Sequence, residues 1–334
     1  MDASFFLIII ACGIMGFLTF VLSSGGVVMA NFLRKLKLVA VGAVHMCASK
    51  DKKLKVTLDA QKVQVDRASK GKRIIFIRHG ESEWNEVFNR GFGLGFFVRL
   101  TKAFIREVMM LTSRDSVFFD SPLSDTGIRQ AQELVKFLHK PPAKGFESPE
   151  VSEAVAVLRG EGSGTVVLAT SNLRRAIATG LIALWERLRR GEERLLVLSN
   201  LQEMTFNVDG ISLLEPGETP DTTLAKELGG EVTFDAEFNK GTKGLDNTGM
   251  RRMSEFCEWA SRRQEDTVVC LGHSLYFRSY FRTFLPQACI HKAKSKKIVN
   301  CGIVAFTLHR GAYAGRAAYL IDPDSITTVY GGFK

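Results

Sequence analysis

Residues 72–85 read KRIIFIRHGESEWN, and the change of character inside that stretch decides the fold. Arg73-Ile-Ile-Phe-Ile77 is a short aliphatic run of the kind that a parallel sheet buries on both faces. It breaks off into Arg78-His79-Gly80-Glu81-Ser82, a polar cluster placed where the strand would end. In open α/β sheets, ligands bind beyond the carboxyl ends of the strands, so this cluster is a candidate site.

The same design recurs along the chain. Thr165-Val-Val-Leu-Ala169 runs into Thr170-Ser171-Asn172-Leu173-Arg174-Arg175, Thr267-Val-Val-Cys-Leu271 runs into Gly272-His273-Ser274, and Arg194-Leu-Leu-Val-Leu198 leads to Gln202-Glu203. Between these runs apolar residues recur at helical spacing: Ile128, Ala131, Leu134, Val135 and Leu138; Ile177, Leu181, Leu184 and Leu188; Met253, Phe256, Cys257 and Ala260. Alternating strand and helix predicts a three-layer α/β/α domain over 73–334 with a mostly parallel central sheet. Residues 86–119 and 205–247 break the pattern and are expected to be insertions or long loops.

One sheet edge would then gather two His, two or three Arg and one carboxylate. Arginines present planar forks that match phosphoryl oxygens, and the same guanidinium groups would repel a metal cation, so neither metal nor cofactor is expected. A neutral imidazole can attack phosphorus and split hydrolysis into two displacements. Gly80, lacking a Cβ, is expected to let phosphate approach the backbone, and Glu203 to supply the leaving group with a proton if burial holds one on it.

These residues resemble the histidine phosphatase superfamily, also called phosphoglycerate-mutase-like. Arg78-His79-Gly80 continued by Glu81-Ser82-Glu83-Trp84-Asn85 is similar to its RHGESxWN signature. Pro122-Leu-Ser-Asp-Thr-Gly-Ile-Arg-Gln-Ala131 is similar to PLTxxGxxQA, Ser171 to Thr179 to SxLxRAxxT, and Leu201-Gln202-Glu203 to LxE, while Gly272-His273 supplies the second histidine. The resemblance implies His79 as the phosphorylated nucleophile, Arg78, Arg175 and His273 as the phosphate clamp, Glu203 as acid and then base, and Ser82 and Asn85 as substrate contacts. It implies a phosphomonoester hydrolase acting on a phosphorylated small molecule or a phosphoprotein, as in the superfamily's mitochondrial membrane-anchored protein phosphatase.

The departures are informative. Ser274 follows the second histidine where other branches carry Gly or Asp, and Met204-Thr-Phe-Asn207 follows the LxE element where mutases carry Arg and Tyr-Gly. Phosphatase is therefore favoured, with a mutase-type phosphotransferase, or a pseudoenzyme that binds phosphorylated partners, as alternatives. The run from His273 to Arg282 looks like a poorly characterised eukaryotic branch.

The charge of the 334-residue chain is +10, and Asn31 to Arg73 carries +9 of it while Ile74 to Lys334 carries only +2. Nucleic-acid binding by the large domain is thereby disfavoured. Phe5 to Val28 is free of charge and long enough to span a bilayer, so residues 1–30 are expected to be a single-pass transmembrane anchor, or else a signal peptide. Residues 31–72 then read as a basic juxtamembrane linker on an anionic lipid surface. The catalytic domain would face the cytosol, from the endoplasmic reticulum or mitochondrial outer membrane. Six cysteines without CxxC spacing suit a reducing compartment. Phe92 to Leu111 reads as a lid over the site, an amphipathic helix on the bilayer, or a helix packed on the sheet; His45, His139, His291 and His309 have no partner motif.

Overall fold

A computed structural model describes residues 13, 15, 16, 19, 22, 23, 25–53, 60–65, 70–140, 148–191 and 193–334. Its elements in chain order are α1 (Gly26–Ala48), β1 (Gln64–Val65), β2 (Lys72–Arg78), α2 (Glu83–Phe88), α3 (Leu94–Met109), α4 (Asp125–His139), α5 (Pro149–Arg159), β3 (Val166–Ser171), α6 (Arg174–Ala183), α7 (Trp185–Leu188), β4 (Arg194–Leu198), α8 (Thr223–Glu227), β5 (Thr233–Asp235), α9 (Gly249–Arg262), β6 (Thr267–Gly272), α10 (Ser274–Phe284), β7 (Ile303–Tyr313), β8 (Arg316–Ile321) and β9 (Thr327–Tyr330).

The aliphatic runs form one sheet in the order β1-β7-β2-β6-β3-β4-β5, with β8 and β9 also pairing with β7. From β2 to β5 every pairing is parallel. Side chains alternate across a strand, so each run feeds two cores. Ile74, Phe76, Val268 and Cys270 pack with Met253 and Phe256 of α9 and Tyr276, Phe277, Tyr280 and Phe281 of α10. Ile75, Ile77, Val269 and Leu271 pack with Ala131 and Leu134 of α4, Val157 of α5, and Ile177 and Leu181 of α6. The helices cover both faces, which gives the expected three layers. The antiparallel side of the sheet, β7 to β9 with β1, was not anticipated.

The expected localisation is corrected. No helix among the described residues is long and apolar enough to cross a membrane. Most of the span expected at Phe5 to Val28 lies outside the described residues. Its last residues belong to α1, and this helix, with the basic segment it carries, docks on the domain instead of trailing from it. Lys35 is buried and pairs with Glu107 of α3 at 2.7 Å, and Asn31 Nδ2 donates to the Thr112 carbonyl at 3.0 Å. A Cβ on Gly42 would lie 2.9 Å from Val208 and 3.0 Å from Phe119, so glycine is what lets α1 approach this closely. Beyond α1, the buried Asp51 binds Lys243 Nζ at 2.6 Å and Arg252 Nη1 at 2.7 Å.

The insertion at Phe92 to Leu111 forms α3. It packs through Ala103 on Val87 of α2 and on Val117, and Arg106 pairs with Glu83 at 2.6 Å. Phe97, Val98, Phe104 and Ile105 point outward.

Candidate active site

Four strands end at one place. β2 delivers Arg78 and His79, β3 delivers Ser171 and the start of α6 with Arg175, and β6 delivers His273 at the cap of α10. β4 passes through a short 3-10 turn to Gln202 and Glu203. His79 Nδ1 lies 2.5 Å from the Gly80 carbonyl oxygen, an atom that can only accept, so Nδ1 carries the hydrogen and Nε2 keeps its lone pair. Arg175 Nε donates to that Nε2 at 3.3 Å. The His79 and His273 rings are 5.0 Å apart, and His273 Nε2 lies 2.9 Å from Ser171 Oγ.

Burial, then the charges of Arg175 and Arg78, hold the His79 pKa well below the imidazole norm. Burial and Arg175 do the same to His273. Both rings are therefore neutral at neutral pH. Arg78 is pulled down to about 10 by burial, with Glu203 opposing, and its Nη1 donates to the Ile298 carbonyl at 2.6 Å. Glu203 accepts from the backbone N–H of Tyr276 and of Met204, each at 2.9 Å, and from that of Leu275 at 3.3 Å. The first turn of α10 thus fixes the carboxylate, as a helix N-terminus does.

His79, Arg175, Glu203 and His273 are brought together, each at least nine-tenths buried. Ser82 and Asn85 have other occupations: Ser82 is buried as the cap of α2, accepting from Asn85 N at 3.2 Å, and Asn85 Oδ1 accepts from Asn89 at 2.8 Å. Gly80 differs from expectation in its reason. A Cβ there would meet the Gly127 carbonyl of α4 at 2.6 Å, so the missing side chain makes room for a helix. Arg174 turns away and pairs with Asp115, its N–H binding Asp120 Oδ1 at 2.8 Å.

Two residues escaped the sequence reading. Thr179 Oγ1 accepts from Gly80 N at 3.0 Å and donates to the Arg175 carbonyl at 2.7 Å, tying the His79 loop to α6. Asp209 meets Arg175 directly: Nη1 donates to its carbonyl at 2.8 Å and Nη2 lies 3.4 Å from its Oδ2. Asp209 sits in an unpatterned stretch that carries no signal, whereas Thr179 closes the SxLxRAxxT match and only its role was missed. Among the described residues no group of three or more His, Cys, Asp or Glu is placed to hold a metal.

Five separate motif elements meet within this one cluster and its immediate support. The motif residues quoted from the sequence thus lie together around His79. No protein-family model matches the chain. No curated protein matches it. Similar solved structures include a mycobacterial glucosyl-3-phosphoglycerate phosphatase with VO3, at 15% identity and TM-score 0.37 over 75% of this chain and 97% of that one. A phosphoserine phosphatase from Entamoeba histolytica matches at 16% identity and TM-score 0.33, over 70% and 90%. "Mycobacterial hydrolase 1" matches at 14% and TM-score 0.39, over 79% and 100%.

Proposed function

We propose that this chain is a phosphatase that hydrolyses a phosphomonoester through a phosphohistidine at His79. The observation that carries the reading is the edge of Arg175 laid against the unprotonated Nε2 of a neutral, buried His79. In the first step Nε2 forms a bond to phosphorus as the ester P–O bond breaks, and the leaving oxygen takes a proton from Glu203. In the second step water gives its proton to Glu203 and attacks phosphorus, the P–N bond breaks, and inorganic phosphate leaves with His79 restored. Arg78, Arg175 and neutral His273 stabilise the charge on the equatorial oxygens throughout.

His79 is only 2% exposed, so the phosphoryl group has to reach well below the surface to meet it. Such depth favours a small phosphomonoester over a phosphate on the surface of a folded protein. Incubating the full chain with an aryl phosphate tests the reading. The expected result is turnover with an acid-labile phosphoenzyme, both absent in His79→Ala; turnover retained by that variant sinks the proposal.

A further inference from the structure

Arg175 has two hydrogen-bonding edges, and different residues face them. The edge bearing Nε–H faces the His79 Nε2, where the phosphoryl group is transferred in the reaction proposed above. The end formed by Nη1 and Nη2 is held by Asp209, through its carbonyl at 2.8 Å and its carboxylate at 3.4 Å. Asp209 is 7% exposed, and its Oδ1 is buried without a hydrogen-bond partner.

The backbone around Asp209 is fixed on both sides. Gln202 Nε2 donates to the Gly210 carbonyl at 2.8 Å, Ser212 Oγ donates to the Asn172 carbonyl at 2.9 Å, and Leu213 N donates to Asp120 Oδ2 at 3.1 Å. On the other side Thr205 N donates to Asp51 Oδ2 at 2.9 Å, and Val208 rests on Gly42 of α1. Gln202 is therefore more than the residue before Glu203: its backbone continues into the acid while its side chain pins the turn that carries Asp209.

We propose that Asp209 is a positioning residue for the phosphoryl-transfer step, holding the far end of the Arg175 guanidinium so that its Nε edge stays aimed at the phosphorus beside His79. The inference rests on the phosphatase reading and deepens it. A planar fork held at one end can present its other edge without searching rotamers, and misplacement of a transition-state contact by about 1 Å can cost about 10²-fold in rate. The groups facing the Asp209 carboxyl are Arg175, Glu203, Lys243 and Asp120; burial first, with Glu203 and Asp120, raises its pKa against the pull of Arg175 and Lys243. Protonation of Asp209 as the pH falls would loosen Nη2, while the backbone carbonyl keeps Nη1, and lower kcat.

The test compares full-length wild type, Asp209→Asn, Asp209→Ala and Asp209→Glu in aryl phosphate hydrolysis across pH, with orthovanadate inhibition and thermal melting alongside. Expected for Asp209→Asn is a kcat about 10²-fold below wild type with KM within about threefold, because the aim of Arg175 matters most in the transition state. Asp209→Glu should recover most of that loss, and Asp209→Asn should lack the part of the acid limb in kcat that titration of Asp209 gives wild type, while the part due to protonation of His79 stays in both. An unchanged kcat in Asp209→Asn, or Asp209→Glu no better than Asp209→Ala, overturns the inference. So does a rise in kcat, which would make Asp209 an obstacle to phosphate. Wild type that neither turns over nor binds orthovanadate overturns the phosphatase reading and this inference together, whereas active wild type with indifferent Asp209 variants overturns this inference alone.

Discussion

Gly80 and Gly127 are packed so closely that neither has room for a methyl group: a Cβ on Gly80 would stand 2.6 Å from the Gly127 carbonyl oxygen, and one on Gly127 would crowd the Glu81 backbone. Gly127 lies in the first turn of α4, where alanine has the better intrinsic propensity by about 1 kcal/mol. Overpacking in a rigid backbone contact costs about 1–3 kcal/mol, so the clash wins. Gly127→Ala should lower stability in a urea melt and reduce kcat by moving the His79 loop. A stabilised variant would show that α4 and the loop give way easily.

Asp51 is the counter-charge for two buried cations, Lys243 and Arg252, and burial pulls the Lys243 pKa down to about 8 even with Asp51 beside it. Asp51→Ala leaves both without that partner. Breaking a buried pair in this way costs about 3–5 kcal/mol, and denaturant midpoints read it directly. A loss below about 1 kcal/mol would mean that water or a rearranged carboxylate replaces Asp51 with ease.

Stability should fall on the acid side because of the site itself. Folding holds the pKa values of His79 and His273 well below 6.5. Between that ordinary value and the lower folded ones, the unfolded chain binds protons that the folded chain refuses. Stability therefore declines as the pH falls, by up to about 1.4 kcal/mol per pH unit for each ring. His79→Asn should flatten the decline between about pH 6 and pH 5 relative to wild type. Parallel profiles for the two proteins would contradict the assignment of a neutral, buried His79.

Gly42 tests the docking of α1. Gly42→Leu would drive its side chain into Val208 and Phe119, which lie 2.9 and 3.0 Å from the position of its Cβ. The expected outcome is faster limited proteolysis between residues 49 and 70 and a stability loss of about 1–3 kcal/mol. An unaltered digestion pattern would show that α1 does not depend on that contact.

The parallel half of the sheet was legible because strands buried on both faces leave an unmistakable trace: Arg194 to Leu198, for instance, is apolar after its first residue and ends in a polar turn. The site was legible for the same reason, since its residues follow directly on those runs. β7 was not, because it is buried only over its first half and its outer half alternates between partial and full exposure. The basic residues of α1 misled for a different reason. Lys35 looks like a solvated charge next to an apolar run, and its partner Glu107 lies 72 residues away. Leu33 and Leu36, beside those basic residues, sit on the outer side at 55% and 52% exposure. Asp209 illustrates a third limit: its meaning comes from one guanidinium 34 residues earlier, and nothing in its neighbours announces that.

The ties between Asp51 and Arg252 join positions 201 residues apart, and those between His45 and Phe206 span 161. On the ribosome, α1 is therefore complete long before the surface that receives it exists. Chains grow from the N-terminus at about 5–20 residues per second, so this half-apolar helix waits for roughly eight seconds or more before the part of its seat around Phe206 is made.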